Sequence, residues 1–337
     1  KENKKIKSYL EQGHKIESSV LIADNQTGEI ISVVGGRNYK MTQFNRAIDG
    51  HRQVGSIMKP MVYLTALRLD PAKYLPLTIL KDEKITYKYE GQTWTPENYA
   101  KKYNGEVPLF YALKNSLNAA TAYLGMEIGI PQIIDTTRAL GVTSALQSVP
   151  SLSLGAFELY PIEVLHIYQS LARMGSSIDT SFVRTVLDAK GKVVYEFKPQ
   201  SKQALPAEPV AVLASIMKHT TQSGTAKSIA NSGLKAIVAG KTGTTSDFKD
   251  AWFAGFSKNY TGVVWIGYDN NLPTGLTGGG TAVPIWTQVF KKLEEHRPVE
   301  DFDWPKTTST YKVWTKDPDI KDPAAGDVEL EFVKATD

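Results

Sequence analysis

The chain contains no cysteine among its 337 residues, which removes disulfides, thiolate metal sites and cysteine nucleophiles in one step. It says nothing about compartment. Long apolar runs are also missing, and none approaches the roughly 18 residues that a membrane span requires. Histidine is scarce, and the five present, His14, His51, His166, His219 and His296, have none of the spacings that metal sites use. Packing or surface roles are expected for them, with no metal and no other cofactor implied. Neither sign of charge dominates: the net charge is +4 and the basic residues are scattered, so there is no nucleic-acid footprint. The start, Lys1 to Lys7, reads as a solvated end. It has neither an initiator Met nor the apolar core of a signal peptide, and the chain is expected to be a piece of a longer protein. No Gly-x-Ser-x-Gly elbow occurs, which argues against a Ser-His-Asp hydrolase. Gly240-Lys241-Thr242 resembles the end of a phosphate-binding loop, but Lys235 stands where that loop needs glycine.

What is present fits a globular chain with a sizeable core, at 42% hydrophobic and 22% charged residues. Two β-branched runs, 19–24 and 29–34, flank Asn25-Gln26-Thr27-Gly28 and predict a hairpin. From about 69 to 160 strand signals thin out and helical patterns dominate. Residues 161–174 predict an amphipathic helix stopped by Gly175, 183–187 and 193–197 a short hairpin, and 209–220 a further helix. Strand-like sequence returns over 236–244, 251–256 and 261–267, with turns short enough for antiparallel pairing. A helix over 283–293 follows, and the Pro- and Asp-rich remainder beyond about 298 is expected to be poorly ordered. The pattern is α+β, with a sheet built from both ends of the chain and no internal repeat.

Gly55-Ser56-Ile57-Met58-Lys59-Pro60 opens an apolar run and predicts a helix with Ser56 as its N-cap. Pro60 is then the fourth residue, where its missing N–H costs nothing. Residues three apart share a helix face, so Lys59 can fold back to Ser56 Oγ and the pair can form an activated serine. The plainer reading is a capping serine beside a solvated lysine. Ser-x-x-Lys also begins at Ser215, Ser232, Ser246 and Ser309, and Ser215-Ile216-Met217-Lys218 repeats the tetrapeptide letter for letter. Ser56 differs in company: only it is followed in order by Ser116-Leu117-Asn118 and then Lys241-Thr242-Gly243-Thr244. Ser257-Lys258-Asn259 comes after Lys241 and reads as a turn.

That ordered trio is carried by the active-site serine penicillin-recognising enzymes. Together with Phe44-Asn45-Arg46-Ala47, Arg52-Gln53-Val54-Gly55, Trp94-Thr95-Pro96-Glu97-Asn98, Gly224-Thr225-Ala226 and Asp250-Ala251-Trp252-Phe253-Ala254-Gly255, it resembles the transpeptidase domain of bifunctional, class A penicillin-binding proteins. The similarity is greatest to the Gram-negative b-type and covers roughly residues 18–295. It implies a serine transpeptidase/β-lactamase-like fold: an antiparallel sheet of about five strands packed between helices, with a mostly helical lobe. By the same resemblance, 1–17 is an inter-domain linker, 18–297 the transpeptidase domain and 298–337 the tail. A glycosyltransferase domain and a membrane anchor precede this domain in that family and fall outside this sequence. The implied location is the periplasmic face of the bacterial inner membrane.

The resemblance implies peptidoglycan D,D-transpeptidation, with stem peptides ending in D-Ala-D-Ala as substrates and β-lactams as acylating inhibitors. Ser56 is then the nucleophile and Lys59 takes its proton. The lysine must be neutral to do so, and its pKa of about 10.4 must fall through burial and a second cation, for which Lys241 is suited. Ser116 relays a proton, Asn118 holds the substrate amide, and Lys241, Thr242 and Thr244 bind its carboxylate. Gly243 lets the backbone approach the substrate, and the amides of Ser56 and Thr244 form the oxyanion hole. Ile57 stands where the family usually has a small residue or Thr, a change expected to alter pocket shape. Trp94 and Trp252 are candidates for the core or for the border of a peptide cleft. A serine β-lactamase, a D,D-carboxypeptidase and a non-turnover penicillin sensor are the alternatives. Many β-lactamases take their deacylating base from a Glu-x-x-x-Asn loop, and no Glu here has Asn four residues later.

Overall fold

Residues 17–34 fold back as β1 (Glu17–Asp24) and β2 (Ile30–Val34), because Asp24 Oδ1 accepts from the amides of Gln26 and Thr27 and Gly28 supplies a φ of 75°. This computed structural model describes residues 4–295, 297–315 and 328–336. A short helix, α1 (Lys4–Glu11), precedes the hairpin. Three strands from the other end of the chain complete the sheet: β3 (Ala239–Thr244), β4 (Asp250–Phe256) and β5 (Tyr260–Gly267). The order is β3-β4-β5-β1-β2, antiparallel throughout, so β3 is an edge strand. Every residue of β4 and β5 is buried, which is why both read as continuous apolar runs rather than as alternating ones.

Each face of that sheet has its own core. Trp252, Phe256, Val263 and Trp265 point toward α2 (Lys59–Leu69), α6 (Pro161–Ala172) and α7 (Ala207–Gln222). Ala251, Phe253, Val264 and Ile266 point the other way, onto Trp286 and Phe290 of α8 (Val283–Glu294). A helical lobe stands beside the sheet, made with α3 (Leu109–Lys114), α4 (Asn118–Ile128) and α5 (Ile130–Ala139). This lobe carries more strand than its sequence suggests: Ile79–Asp82 pairs with Gly105–Pro108, and Tyr87–Tyr89 pairs with Gln92–Trp94. The second pair closes through Glu90 and Gly91, both at positive φ, as a two-residue hairpin turn requires.

The stretch beyond 298 departs from expectation. β6 (Thr308–Thr315) and β7 (Val328–Ala335) pair antiparallel and dock on α7. An isolated hairpin is marginal in water, but Leu330, Phe332 and Val333 are buried here, at about 1.5–3 kcal/mol for each side chain fully removed from water. That contribution holds the hairpin. Its alternating polar and apolar residues are outweighed in composition by Pro- and Asp-rich sequence before the first strand and between the two, and the latter, 316–327, lies outside the described residues.

Candidate active site

Ser56 does not cap a helix. It lies inside a 3-10 turn, Gly55–Met58, that runs directly into α2, and Val54 and Met58 occupy the two cap positions without side-chain bonds. Pro60 does fall in the first turn of α2. The turn is imposed from outside: Gly55 has φ +54° and donates its amide to Gly155 O at 3.0 Å. Gly155, itself at φ +76°, fits only because a Cβ there would stand 2.1 Å from Gly55 O. The residues just before Ser56 are fixed to the sheet, since Trp252 Nε1 donates to Gln53 O at 2.9 Å and the Arg52 guanidinium lies 4.7 Å over the Trp265 ring. Ser56 is left half-buried at the end of a rigid turn.

Lys59, fully buried, donates from Nζ to Asn118 Oδ1 at 2.6 Å, to Ser116 O at 2.7 Å and to Ser116 Oγ at 3.3 Å. Its hydrogen bonds therefore run to the α3–α4 connection instead of back to Ser56 Oγ. Burial pushes its pKa well below the usual lysine value, the positive charge of Lys241 pushes the same way, and Asp82 opposes both. Ser116 sits at φ 56°, a left-handed conformation that costs a non-glycine residue about 1–2 kcal/mol. Leu117 N to Ala112 O at 2.9 Å, and Asn98 Oδ1 accepting from Asn118 N at 2.7 Å, hold that connection in place.

Lys241 approaches from β3, also fully buried, with Nζ donating to Thr242 O at 3.0 Å; burial lowers its pKa to about 7. Side chains alternate along a strand, and Thr242 and Thr244 open onto a cleft of about 620 Å³ between β3 and the helical lobe. Ser56, Ser116 and Asn118 line the same cleft, while Lys59 and Lys241 are buried behind its lining. Thr242 Oγ1 donates to Thr225 Oγ1 at 2.7 Å, and Thr244 Oγ1 accepts from Gly278 N at 3.2 Å. Gly243 differs from its expected role. A Cβ there would meet Ile57 Cγ2 at 2.8 Å and Val54 O at 3.0 Å, so the glycine admits the turn that carries Ser56 rather than a substrate. Ile57 is likewise buried against β3 and does not line the cleft.

The two identical tetrapeptides are separated by burial. Ser215 is inside α7, donating to Val212 O at 2.7 Å and accepting from Val333 N at 3.2 Å, and Lys218 pairs with Asp301 at 3.4 Å. Ser257 and Asn259 form the β4–β5 turn and bind Glu294. Trp94 lines the cleft and Trp252 belongs to the core. His14, His51, His166 and His219 lie apart from the cleft lining, and His296 lies outside the described residues. Among the described residues no three His, Asp or Glu side chains form a metal-binding group.

Sequence reasoning missed several residues at this site. Thr225 and Asn98 lie in stretches that resemble the family, but nothing local in the sequence marks the hydroxyl that meets Thr242 or the amide that caps α4. Tyr99 and Phe248 carried no signal at all: their rings meet edge-on across the cleft, centroids 5.9 Å apart, with Asp247 and Phe248 both at positive φ.

Comparison with known proteins gives a consistent result. Residues 18–291 match the family described as the penicillin-binding protein transpeptidase domain. Penicillin-binding protein 1B of Vibrio cholerae serotype O1 is 39% identical over 302 residues, covering 89% of this chain and 38% of that protein. Penicillin-binding protein 1A of Aquifex aeolicus is 36% identical over 325 residues, covering 96% and 44%. The crystal structure of penicillin-binding protein 1A from Haemophilus influenzae superposes with a TM-score of 0.84 at 25% identity, covering 94% of this chain and 53% of that one. The chain thus spans less than half the length of these two relatives.

Proposed function

Because the chain belongs to the penicillin-binding protein transpeptidase domain family, we propose that it is a serine D,D-transpeptidase that crosslinks peptidoglycan stem peptides and is acylated by β-lactams. The observation that carries this reading is the half-buried Ser56 in one cleft with Ser116 and Asn118, backed by two buried lysines whose basicity is lowered. A neutral Lys59 takes the Ser56 proton as Oγ attacks the carbonyl of the penultimate D-Ala. The amides of Ser56 and Thr244 receive the oxyanion. The intermediate collapses, the C–N bond breaks, and the proton passes from Lys59 through Ser116 to the departing D-Ala amine. An amine of a second stem then attacks the ester; its proton returns along the same path, and Ser56 leaves as the hydroxyl. Lys241 and the hydroxyls of Thr242 and Thr244 hold the terminal carboxylate. Asn118 positions the peptide amide.

In the full-length protein we place a glycosyltransferase domain and a membrane anchor before this domain, which would hold it at the periplasmic face of the bacterial inner membrane. No helix among the described residues is long and apolar enough to cross a membrane. The test supplies a D-Ala-D-Ala stem donor and an amine acceptor, and follows crosslinked product by mass spectrometry. A parallel chase of the penicilloyl adduct separates the readings. Crosslinks with a persistent adduct support the transpeptidase; clearance within seconds with catalytic release of hydrolysed penicillin supports a β-lactamase, and a persistent adduct without crosslinks supports a sensor.

A further inference from the structure

The carboxylate of Asp82 is fully buried at the end of the short strand Ile79–Asp82, next to the cleft but not on its lining. Asn98 Nδ2 donates to both of its oxygens, at 2.8 and 2.9 Å, and Asn104 donates to Oδ2 from its backbone N at 2.9 Å and from Nδ2 at 2.7 Å. Asn98, also buried, turns its own oxygen to the first two amides of α4, those of Asn118 at 2.7 Å and Ala119 at 3.1 Å. Helix α4 has no side-chain cap from its own N-cap residue, Leu117, so Asn98 supplies that function from a distant segment. Asn118 then accepts from Lys59 Nζ and donates from Nδ2 to Glu97 O at 2.7 Å. An unbroken hydrogen-bonded series runs from Asp82 through Asn98 and Asn118 to Lys59.

A cap alone does not need a buried carboxylate, which is costly to desolvate unless its charge is used or paired. We infer that Asp82, acting through Asn98, is a positioning residue for the proposed reaction: it fixes Asn118 beneath the Lys59 amine and keeps a buried negative charge within the field of that amine. The inference rests on the reading of Ser56 and Lys59 given above. The charged groups acting on Lys59 are Lys241 from β3 and Asp82 from the short strand, with Ser116 and Asn118 as its neutral partners. Tyr63, on the same helix as Lys59, also lies in the field of Asp82, and burial holds its hydroxyl protonated. Burial and Lys241 both drive Lys59 toward the neutral form, and Asp82 restrains that fall. The restraint keeps the amine basic enough to accept a serine proton.

The experiment measures the rate of Ser56 acylation by a fluorescent penicillin over a pH series, for the parent chain, Asp82→Asn and Asn98→Ala. An Asn at 82 with its oxygen in the Oδ2 position keeps the two bonds from Asn104 and removes the charge, while its NH2 at the Oδ1 position faces the Asn98 Nδ2 donor and weakens that link. The expected result is a limiting rate lower by about 10–100-fold, the range a displaced catalytic group produces. With it the acid limb moves to lower pH, because Lys59 without Asp82 stays neutral further down the scale. A limb that coincides with the parent's overturns the inference whether or not the rate falls, since simple loosening changes the rate alone. Asn98→Ala keeps the charge of Asp82 and its two bonds from Asn104 but cuts the link to Asn118, so its rate should fall with the limb in place; should Asp82→Asn fail to fold, a parental rate in Asn98→Ala overturns the inference. A parent chain that takes no label at Ser56 refutes the proposed function itself; a labelled parent whose acid limb is unmoved in Asp82→Asn refutes only the role of Asp82.

Discussion

Lys59 Nζ and Asn118 Oδ1 stand 2.6 Å apart, although 59 positions separate the two residues in the chain. The amine is held by the α3–α4 connection and driven toward neutrality by burial and Lys241, the state in which it can take a proton from Ser56. Lys59→Met, which keeps the volume and removes the amine, is expected to slow penicillin acylation by about 10²–10⁴-fold. Thermal melts should show little net change, because relief of a desolvated amine offsets the acceptors left unpaired at Ser116 O and Asn118 Oδ1, about 1 kcal/mol each. Acylation near the parental rate would mean that Ser56 is activated by another group.

The repeated tetrapeptide offers an internal control. Ser56→Ala is expected to abolish covalent labelling by penicillin, whereas Ser215→Ala should label normally. The cost at Ser215 is stability, about 1 kcal/mol for the lost bond to Val333 N. Peptide mapping of the labelled protein decides the matter, and an adduct on Ser215 would overturn the assignment.

The pH dependence of Lys241 has a definite sign. Unfolded, its amine has the ordinary value of 10.5, and burial lowers it to about 7 in the folded chain. In the free site the cation is lost as pH rises through about 7, so KM for carboxylate-bearing donors should increase above that pH. Lys241→Ala should raise KM more than it lowers kcat and flatten that rise. Between the two values the unfolded chain holds more protons than the folded one, so the contribution of Lys241 to stability grows with pH across that window. Melts of Lys241→Met should lack that part of the slope.

Gly155 can be tested against Gly141. Both have positive φ, 76° and 92°, but a Cβ at 155 would collide with Gly55 O while one at 141 meets nothing within 4 Å. Each substitution to Ala is expected to cost about 1–3 kcal/mol in stability from the backbone conformation. Only Gly155→Ala should also slow acylation, because it displaces the turn bearing Ser56. Equal acylation by both variants would show that the contact between Gly155 and Gly55 does not position the serine.

The order of Ser56, Ser116 and Lys241, the hairpin of β1 and β2, and the apolar strands β4 and β5 were all legible in the chain, because each is a local pattern or a linear succession. Antiparallel pairing of the last three strands followed from those runs and their short connections, whereas the sheet of about five strands was what the family resemblance implied. Contacts between distant segments had no such signature. Whether Ser56 caps a helix or lies in a turn is decided by Gly155, and the partners of Lys59 by Asn98 and the strained φ of Ser116. Gly243 looks like a substrate-facing glycine until Ile57 is seen packed where its Cβ would be. The segment beyond 298 has the composition of a tail and becomes a hairpin because α7 presents an apolar face for Leu330, Phe332 and Val333. Propensity and motif order act along the chain. Burial, which lowers the basicity of Lys59 and Lys241 and separates Ser56 from Ser215, exists only once the segments are packed together.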